Sequence, residues 1–309
     1  MDAVKIDDSL LEEIEAHSVL VAQRAGQILM EHFSKPLEVE FKGEKKTDPV
    51  TTADHRSEEF LKANIGEKFP EHAILSEEGG ALNKSDSPFI WVLDPLDGTT
   101  NFMNGLPFFA VSVGVLWNYQ PVAGSIFVPV SHRASEGVYH ARLGKGAYFN
   151  DEKIEVANES PGRPLAELPY HFRSQFRLSG ESRKEPQEIR NLGSIAVELA
   201  LTACGVFGYS LFGGPKLWDV AAGVLLVKEA GGLVFTKWRR QRKWLPLEQF
   251  PVEKNDDQEE LEKLGKWSSP LVVGTPDRAG KLVRDIRNSR SPLFRRSAPR
   301  WLRGHKRRK

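Results

Sequence analysis

The sequence has only one cysteine in 309 residues, Cys204, and no run of about 18 apolar residues. A single cysteine excludes an internal disulfide and suits a reducing compartment, so we expect a cytoplasmic protein. The missing apolar run predicts that no transmembrane segment is present. The first residues, Met1 to Asp8, also lack the basic and then apolar plan of a signal peptide.

Several familiar catalytic signatures are missing as well. Six positions after Cys204 stands Ser210, where the phosphate loop of a cysteine phosphatase needs arginine. Residues 208–212 lack the final glycine of a nucleophile elbow, and no P-loop motif occurs. The eight histidines form no HExxH or HxH pattern, which disfavours a zinc hydrolase. Asp94 and Asp97 are three residues apart, whereas aspartyl-phosphate phosphatases use acids two apart. What remains is carboxylate chemistry without histidine.

Acidic residues are scarce at the C-terminus. Between residues 281 and 309 there are twelve lysines and arginines against one acid, Asp285, whereas residues 1–280 hold 31 basic and 41 acidic residues. An acidic body that handles a phosphate ester needs something to cancel its own charge, and divalent cations are the simplest partner.

Apolar periodicity predicts both helices and sheet. Helical spacing predicts a helix over 7–33, with Ser9 or Asp8 as its N-cap, and a second helix after Asp54. The sequence pattern changes after about Val156, which indicates that a second half of the protein begins there. Further helices are predicted over 193–201 and 218–229, and short strands at 233–235 and 271–273.

Strand patterns dominate the middle of the first half. The continuous apolar run over 89–93 predicts a buried strand that stops at Asp94. Alternating patterns over 108–117, 120–128 and 137–149 predict a mainly antiparallel sheet.

The segment 94–100, with the sequence DPLDGTT, places two acids at the end of that buried strand. A plain β-turn is the alternative interpretation, since Asp, Pro and Gly are favoured in turns. However, an uncompensated carboxylate pair would repel there, and residues 98–101 supply backbone N–H groups at a predicted helix start, which suits phosphate. Glu77 comes shortly after the apolar run 73–75, and Asp219 stands beside Trp218 at a predicted helix start. Oxygen ligands favour Mg²⁺, with Mn²⁺ as an alternative, and two such ions can clamp an in-line phosphoryl displacement.

Four motifs carry a family resemblance. Residues 94–102 (DPLDGTTNF) and 218–223 (WDVAAG) resemble the two signature motifs of the inositol monophosphatase family. Residues 76–79 (SEEG) and 50–54 (VTTAD) are similar to its two smaller motifs. All four occur in the family's order and at similar spacing, over roughly residues 10–275.

The resemblance implies an α/β layered sandwich, like that of inositol monophosphatases and fructose-1,6-bisphosphatases, with alternating helix and sheet layers. It implies an N-terminal α+β half with the metal site over residues 1–155. A C-terminal α/β half over 156–281 would complete the site. Residues 282–309 lie outside the resemblance, and we expect them to form a flexible basic tail.

The resemblance also implies a ligand set for two or three Mg²⁺ ions. By similarity, Glu77, Asp94 and the backbone carbonyl of Leu96 hold the first ion. Asp94, Asp97 and Asp219 hold the second. The other interpretation of Asp219 is a carboxylate that caps a helix N-terminus.

Catalytic and substrate roles follow by the same similarity. Thr99, with Asp54, is expected to orient and deprotonate the attacking water, and Glu77 is counted with them as catalytic. No phosphoenzyme is expected. Substrate contacts are implied for Asp97, Gly98, Thr99, Thr100, Gly193, Ser194 and Asp219.

The substrate is less closely indicated. The family's inositol-binding glutamate lies six positions before the tryptophan of the second motif, and here that position is Phe212. The expected substrate is a small phosphate monoester resembling inositol 1-phosphate. Fructose 1,6-bisphosphate, 3′-phosphoadenosine 5′-phosphate and histidinol phosphate are the alternatives. Inhibition by Li⁺ is implied, and because dimerisation is common in relatives, a homodimer is one expected assembly.

The basic tail supports a rival hypothesis of another class. A nucleic-acid-binding protein could keep the phosphatase fold and use the tail on RNA, and anionic lipid is a further candidate partner. The alternative is a disordered, solubilising tail. The complete set of catalytic and metal-binding residue types favours the enzyme, because a pure binding protein has no chemical need for them together.

Overall fold

The computed structural model describes residues 6–35, 39–42, 48–82, 87–156, 164–169, 172, 176–184, 187–237, 243–251 and 257–288. The helices are α1 (Asp8–His32), α2 (Thr52–Lys68), α3 (Thr99–Met103), α4 (Ile195–Ala203), α5 (Leu217–Glu229), α6 (Asp257–Gly265) and α7 (Pro276–Asp285), with a 3₁₀ turn at Glu181–Arg183. The first strands are β1 (Val39–Lys42), β2 (Asp48–Thr51), β3 (Ala73–Ser76), β4 (Gly80–Leu82), β5 (Phe89–Asp97), β6 (Ala110–Trp117), β7 (Gln120–Val128), β8 (Gly137–Arg142), β9 (Ala147–Phe149) and β10 (Glu152–Ile154). The later strands are β11 (Leu165–Glu167), β12 (Phe176–Leu178), β13 (Glu188–Arg190), β14 (Phe207–Phe212), β15 (Leu233–Thr236), β16 (Leu245–Pro246), β17 (Leu271–Gly274) and β18 (Ile286–Asn288).

The first large sheet has eight strands in the order β10-β9-β8-β7-β6-β5-β3-β4. Only the pairing of β3 with β5 is parallel, so the predicted mainly antiparallel sheet is confirmed. Helix α1 contacts β6, β7 and β8, and α2 contacts β5, whereas α5 contacts the same sheet through β5 to β8. The strands are buried on both faces, which is why they consist of nearly continuous apolar runs.

Helix α5 approaches the first sheet closely because two glycines face it. A Cβ atom at Gly114 would lie 2.7 Å from the Cβ of Ala221, and one at Gly124 would lie 2.8 Å from the Cα of Ala222. The helix backbone therefore rests directly on β6 and β7. This contact brings the start of α5, with Asp219, close to the end of β5.

The second large sheet has six strands in the order β13-β11-β14-β17-β15-β16. Its β13-β11-β14 part is parallel and the remainder is antiparallel. Helices α4 and α5 contact both large sheets, and α7 contacts the second sheet through β14, β15 and β17. The layers thus alternate as helices, sheet, helices, sheet and helix, which confirms the expected layered α/β sandwich.

Three sequence predictions need correction. Helix α1 is capped by Asp7, whose carboxylate accepts the backbone N–H of Ser9 at 3.1 Å, because Asp8 and Ser9 are already inside the helix. Strand β5 does not stop at Asp94 but continues to Asp97 after a break in the ladder. Pro95 has no N–H to donate to that ladder, and the intervening residues bulge out of it.

The third correction concerns the start of the tail. Helix α7 ends at Asp285, Leu282 is fully buried in it, and β18 pairs with β12. Residues 282–288 therefore belong to the folded chain, because their apolar side chains complete a hydrophobic cluster. The remainder of the predicted tail, 289–309, and residues 43–47 lie outside the described residues. Among the helices that the structure describes, none combines the length and the apolar character needed to cross a bilayer.

Candidate active site

The start of α2 holds Asp54 inside the protein. Thr51 is the N-cap, and its backbone N–H and hydroxyl donate to the Asp54 carboxylate at 2.9 and 2.5 Å, respectively. In the other direction, the backbone N–H of Asp54 donates to the Thr51 hydroxyl oxygen at 3.4 Å, and together these bonds form a capping box, which the sequence T-x-x-D indicates. Burial raises the pKa of Asp54 to about 6, against the hydrogen bonds from Thr51, and the charge of Glu78 adds to the rise.

Thr99 lies beside Asp54, at the first residue of α3. Its hydroxyl is 3.0 Å from the carbonyl oxygen of Leu96 and 3.4 Å from Oδ1 of Asp54. A hydroxyl has one proton, so Thr99 donates to one of these acceptors at a time while its oxygen can accept a proton from a third group. The structure thus brings the two predicted catalytic residues together from positions 45 residues apart in the chain.

Gly98 makes the sharp entry into α3. Its φ is 92°, and a Cβ there would lie 2.9 Å from the carbonyl oxygen of Phe108. Both the backbone angle and the close approach exclude a larger residue. Gly98 therefore starts α3 directly after the last residue of β5, Asp97.

The turn that carries Glu77 is organised by Glu58, a residue that the sequence interpretation missed. The Glu58 carboxylate accepts the hydroxyl of Ser76 at 2.6 Å and the amide of Gly79 at 2.8 Å, and it pairs with Lys62. Glu58 therefore fixes both ends of the Glu77–Glu78 turn to α2. Its position four residues after Asp54 puts it on the same side of the helix, which is the signal that could have indicated it.

Four acids from three elements stand near one another: Glu77 follows β3, Asp94 and Asp97 lie on β5, and Asp219 lies on α5. Asp94 is buried, and burial, followed by the charges of Glu77, Asp97 and Asp219, raises its pKa well above the usual range. Burial also raises the pKa of Asp97 and of Asp219, and Asp219 responds to the charges of Asp97 and Glu77, with Lys216 acting in the opposite direction. Carboxylates that disfavour one another's ionised form in this way are suited to share divalent cations.

Two of these acids also contact helix N-termini. One oxygen of Asp97 accepts the hydroxyl of Ser194 and the amide of Ala196, both at 2.6 Å. One oxygen of Asp219 accepts the amide of Lys216 at 2.7 Å, so the capping role considered for Asp219 is present. Across the described ranges, no group of three or more acidic, histidine or cysteine side chains is placed so that it could hold a metal ion.

The donor set fits hard divalent cations. It consists of carboxylate oxygens and the backbone carbonyl oxygen of Leu96, which accepts a hydrogen bond from the Thr99 hydroxyl. Mg²⁺ and Mn²⁺ prefer such oxygen ligands. The charges of Glu77, Asp97 and Asp219 add to burial in raising the pKa of Asp94, and a cation would relieve this repulsion. Glu77, Asp94, Asp97, Asp219 and the Leu96 carbonyl would hold it.

Asn101 joins the two halves of the site, and its role was not recognised from the sequence although it lies within the first signature motif. Its side-chain amide donates to the carbonyl oxygens of Phe108 and Leu192, each at 2.7 Å. The Leu192 carbonyl precedes Gly193 and Ser194, and Ser194 in turn donates to Asp97. Asn101 thereby links α3 to the start of α4.

We predict that Asn101→Asp lowers the free energy of unfolding by about 2–3 kcal/mol, because the new carboxylate has no proton to donate to two carbonyls. Chemical denaturation measures the change. Asn104→Asp is the matched control, since its exposed amide donates only to Thr100 within the same turn. We expect the control to cost less than about 1 kcal/mol. Equal losses in the two variants would contradict the linking role of Asn101.

A cavity of about 370 Å³ opens beside Asp97 and Asp219. Gly193 and Phe212 line it, so the structure places the aromatic replacement of the expected glutamate directly in its wall. Three other polar residues that the sequence interpretation missed also line it: Glu167, Asn191 and Glu198. Ser194 contacts Asp97, whereas Thr100 is exposed on the first turn of α3.

Comparisons with known proteins agree with this geometry. The model of the inositol monophosphatase family matches residues 10–268. Phosphatase IMPL1, chloroplastic, from Arabidopsis thaliana is 37% identical over 238 residues, which cover 73% of this chain and 62% of that protein. The fructose-1,6-bisphosphatase/inositol-1-monophosphatase of Aquifex aeolicus is 37% identical over 224 residues, 69% of this chain and 82% of that protein. The structure of extragenic suppressor protein suhB from Bartonella henselae aligns with a TM-score of 0.67 at 27% identity, covering 88% of this chain and 97% of that one.

The layered fold and the acidic site with its helix N-termini define a hydrolase of phosphate monoesters. The chain belongs to the inositol monophosphatase family. Members of this family are generally metal-dependent phosphatases.

Proposed function

We propose that the protein is a Mg²⁺-dependent phosphatase that hydrolyses a small phosphate monoester with water, without a phosphoenzyme. The observation that carries the proposal is the convergence of four acids beside the Asp54–Thr99 pair and the first turn of α3. Glu77 follows β3, Asp94 and Asp97 lie on β5 and Asp219 lies on α5, and the charges of the other three acids add to burial in raising the pKa of Asp94. Such an arrangement costs stability unless cations use it.

The site residues have three proposed roles: to bind metal ions, to activate water and to bind substrate. Glu77, Asp94, Asp97, Asp219 and the Leu96 carbonyl would hold two or three Mg²⁺ ions, or Mn²⁺. When bound, these ions would supply positive charge for the phosphate and the leaving oxygen and would acidify water.

The remaining residues act on water and substrate. Asp54, through the hydroxyl of Thr99, would take a proton from the attacking water. The amides of Gly98, Thr99 and Thr100, at the start of α3, would donate to phosphate oxygens. Gly193 and Ser194 would contact the alcohol portion of the substrate together with Asp97 and Asp219.

The alcohol portion is proposed to resemble inositol, a ring that carries several hydroxyl groups. The cavity supports this because one wall is polar and another contains Phe212, which can contact the C–H face of such a ring. Phe212 cannot accept hydrogen bonds from hydroxyls as a glutamate would, so selectivity for inositol itself is expected to be low. Histidinol phosphate, fructose 1,6-bisphosphate and 3′-phosphoadenosine 5′-phosphate are the other substrates to compare.

A phosphate-release screen tests this proposal. We expect the purified full-length chain to release phosphate from inositol 1-phosphate only when Mg²⁺ or Mn²⁺ is present, and EDTA to abolish release. Li⁺ at millimolar concentrations is expected to inhibit the reaction. The screen should include sugar, nucleotide and amino-alcohol phosphates and p-nitrophenyl phosphate. No release from any ester with either metal would overturn the proposed function.

The assembly and the tail belong to the same set of proposals. A homodimer is proposed by family resemblance, and size-exclusion chromatography with light scattering tests it. Binding of RNA or anionic lipid by residues 289–309 also stays a prediction. A salt-dependent gel shift that disappears when these residues are deleted would support it.

A further inference from the structure

The cavity beside Asp97 and Asp219 has two buried acids in its wall. Glu167 ends β11 and is 1% exposed, and Glu198 lies on the first turn of α4 and is 2% exposed. Neither belongs to the proposed metal ligands or to the water-activating pair. Carboxylates are rarely buried so completely without a reason, so their place beside the leaving-group space is informative.

Hydrogen bonds hold both acids in place. The two oxygens of Glu167 accept the side-chain amide of Asn191 and the backbone amide of Leu211, each at 3.2 Å. Oε1 of Glu198 accepts two backbone amides of the loop before α4, at 2.5 and 3.2 Å. Neither side chain can therefore swing away from the cavity without losing these bonds.

The charge of the pair is not balanced within the cavity. Burial, followed by the charge of Glu198, raises the pKa of Glu167 to about 9, and burial, with the charge of Asp97, raises that of Glu198 to about 7, so at slightly alkaline pH Glu167 keeps its proton and Glu198 carries the negative charge of the pair. None of the described residues that line the cavity is lysine, arginine or histidine. Lys216 acts on Asp219 from outside this lining.

We propose that Glu167 and Glu198 together form an electrostatic filter for the leaving alcohol. The filter accepts phosphate esters whose alcohol portion is neutral or cationic and rejects those that carry a second phosphate. It rests on the proposed phosphatase function and refines it, since it favours polyol and amino-alcohol monophosphates over bisphosphates. The cations at the metal ligands would serve the reacting phosphate, whereas the filter acts at the far end of the substrate.

A matched pair of substrates isolates the effect. Fructose 1-phosphate and fructose 1,6-bisphosphate share the same ester and differ only in the second phosphate. We expect the wild-type chain with Mg²⁺ to show a kcat/KM at least about tenfold higher for release of the C1 phosphate from the monophosphate. Product analysis identifies which ester is cleaved.

The two single variants give unequal results. Glu198→Gln should raise the bisphosphate-to-monophosphate ratio, because Glu167 then remains buried and protonated, whereas Glu167→Gln should change it little, because Glu198 keeps its charge. The double variant Glu167→Gln/Glu198→Gln removes the charge and should raise the ratio about tenfold. Damage to the fold would lower both activities rather than raise this ratio. Glu152→Gln, which changes the same charge on an exposed strand, is the control and should leave the ratio unchanged.

The salt dependence of the same ratio is a second measurement, and it requires only the wild-type chain. Raising KCl from about 20 to about 200 mM should raise the same ratio in the wild-type chain, because screening weakens the repulsion. A wild-type ratio near one, or a ratio that neither salt nor the double variant changes, would overturn the filter alone. Failure to release phosphate from fructose 1-phosphate and from p-nitrophenyl phosphate would instead overturn the proposed function, and the filter with it.

Discussion

Asp94→Asn is expected to lower kcat by at least about a thousandfold while leaving the chain folded. Asp94 is buried, stands among three other acids and is the one residue assigned to both cations. Losing a charge that holds the cations removes roughly 4 kcal/mol of transition-state stabilisation, which corresponds to about three powers of ten. Phosphate release under saturating Mg²⁺ measures the loss, and circular dichroism confirms the fold.

The same substitution should stabilise the metal-free protein, by about 1–2 kcal/mol at pH 8. An acid whose pKa is raised by folding destabilises the fold when it is ionised, so the wild-type chain in EDTA should lose stability as the pH rises from 5 to 8. Asp94→Asn should show a weaker pH dependence in EDTA. It should also lose the increase in melting temperature that Mg²⁺ gives the wild type.

Asp277→Asn is the matched control for this prediction. Asp277 is exposed and pairs with Lys281 on α7, so its replacement should change neither turnover nor the Mg²⁺ effect measurably. Near-normal turnover of Asp94→Asn would contradict the proposed metal site. A large loss of stability in EDTA would instead indicate that the carboxylate is needed for folding.

Thr99→Val should lower kcat about a hundredfold to a thousandfold, with a smaller change in KM. The substitution keeps the shape of the side chain but removes the hydroxyl that lies between Asp54 and the Leu96 carbonyl. Positioned proton transfer commonly contributes effects of about this size. Steady-state kinetics with inositol 1-phosphate measure both constants.

Two further results distinguish proton transfer from a packing role of Thr99. Thr99→Ser keeps the hydroxyl and should restore kcat to within about tenfold of the wild type. The wild-type kcat should fall on the acidic side with a midpoint no higher than about pH 6, because the pKa of Asp54 is raised to about 6 and bound cations can only lower it. A serine variant as inactive as the valine variant would contradict the assigned role.

Much of the first sheet could be predicted because its strands carry their own signal. The continuous apolar run over 89–93 and the alternating pattern over 120–128 each predict a strand, and they form β5 and β7. The end of β5 could not be predicted, since the ladder resumes at Asp97 through pairing with Ala110 on another strand. The first residue of α1 could not be predicted from the sequence either, because the choice of Asp7 as the N-cap depends on the local backbone angles.

The acids of the site could be predicted only as members of motifs. Asp94, Asp97 and Thr99 lie close in sequence, so one turn positions all three, and the motif indicates its own chemistry. Glu167 and Glu198 gave no such signal, because each looks like an ordinary polar residue beside an apolar run. Their importance comes from the parallel pairing of β11 with β14 and from the loop before α4.

The sequence by itself determined the reaction class, since the acids, the glycine and the threonine of residues 94–100 are short-range features that few other chemistries require. The tertiary structure alone decided how distant groups meet. It placed Asp54 against Thr99, Asp97 against the start of α4, and Phe212 beside two buried acids. The physical reason is that local backbone geometry sets the shape of a turn, whereas proximity between layers depends on how sheets and helices pack together, as the contact of α5 with Gly114 and Gly124 shows.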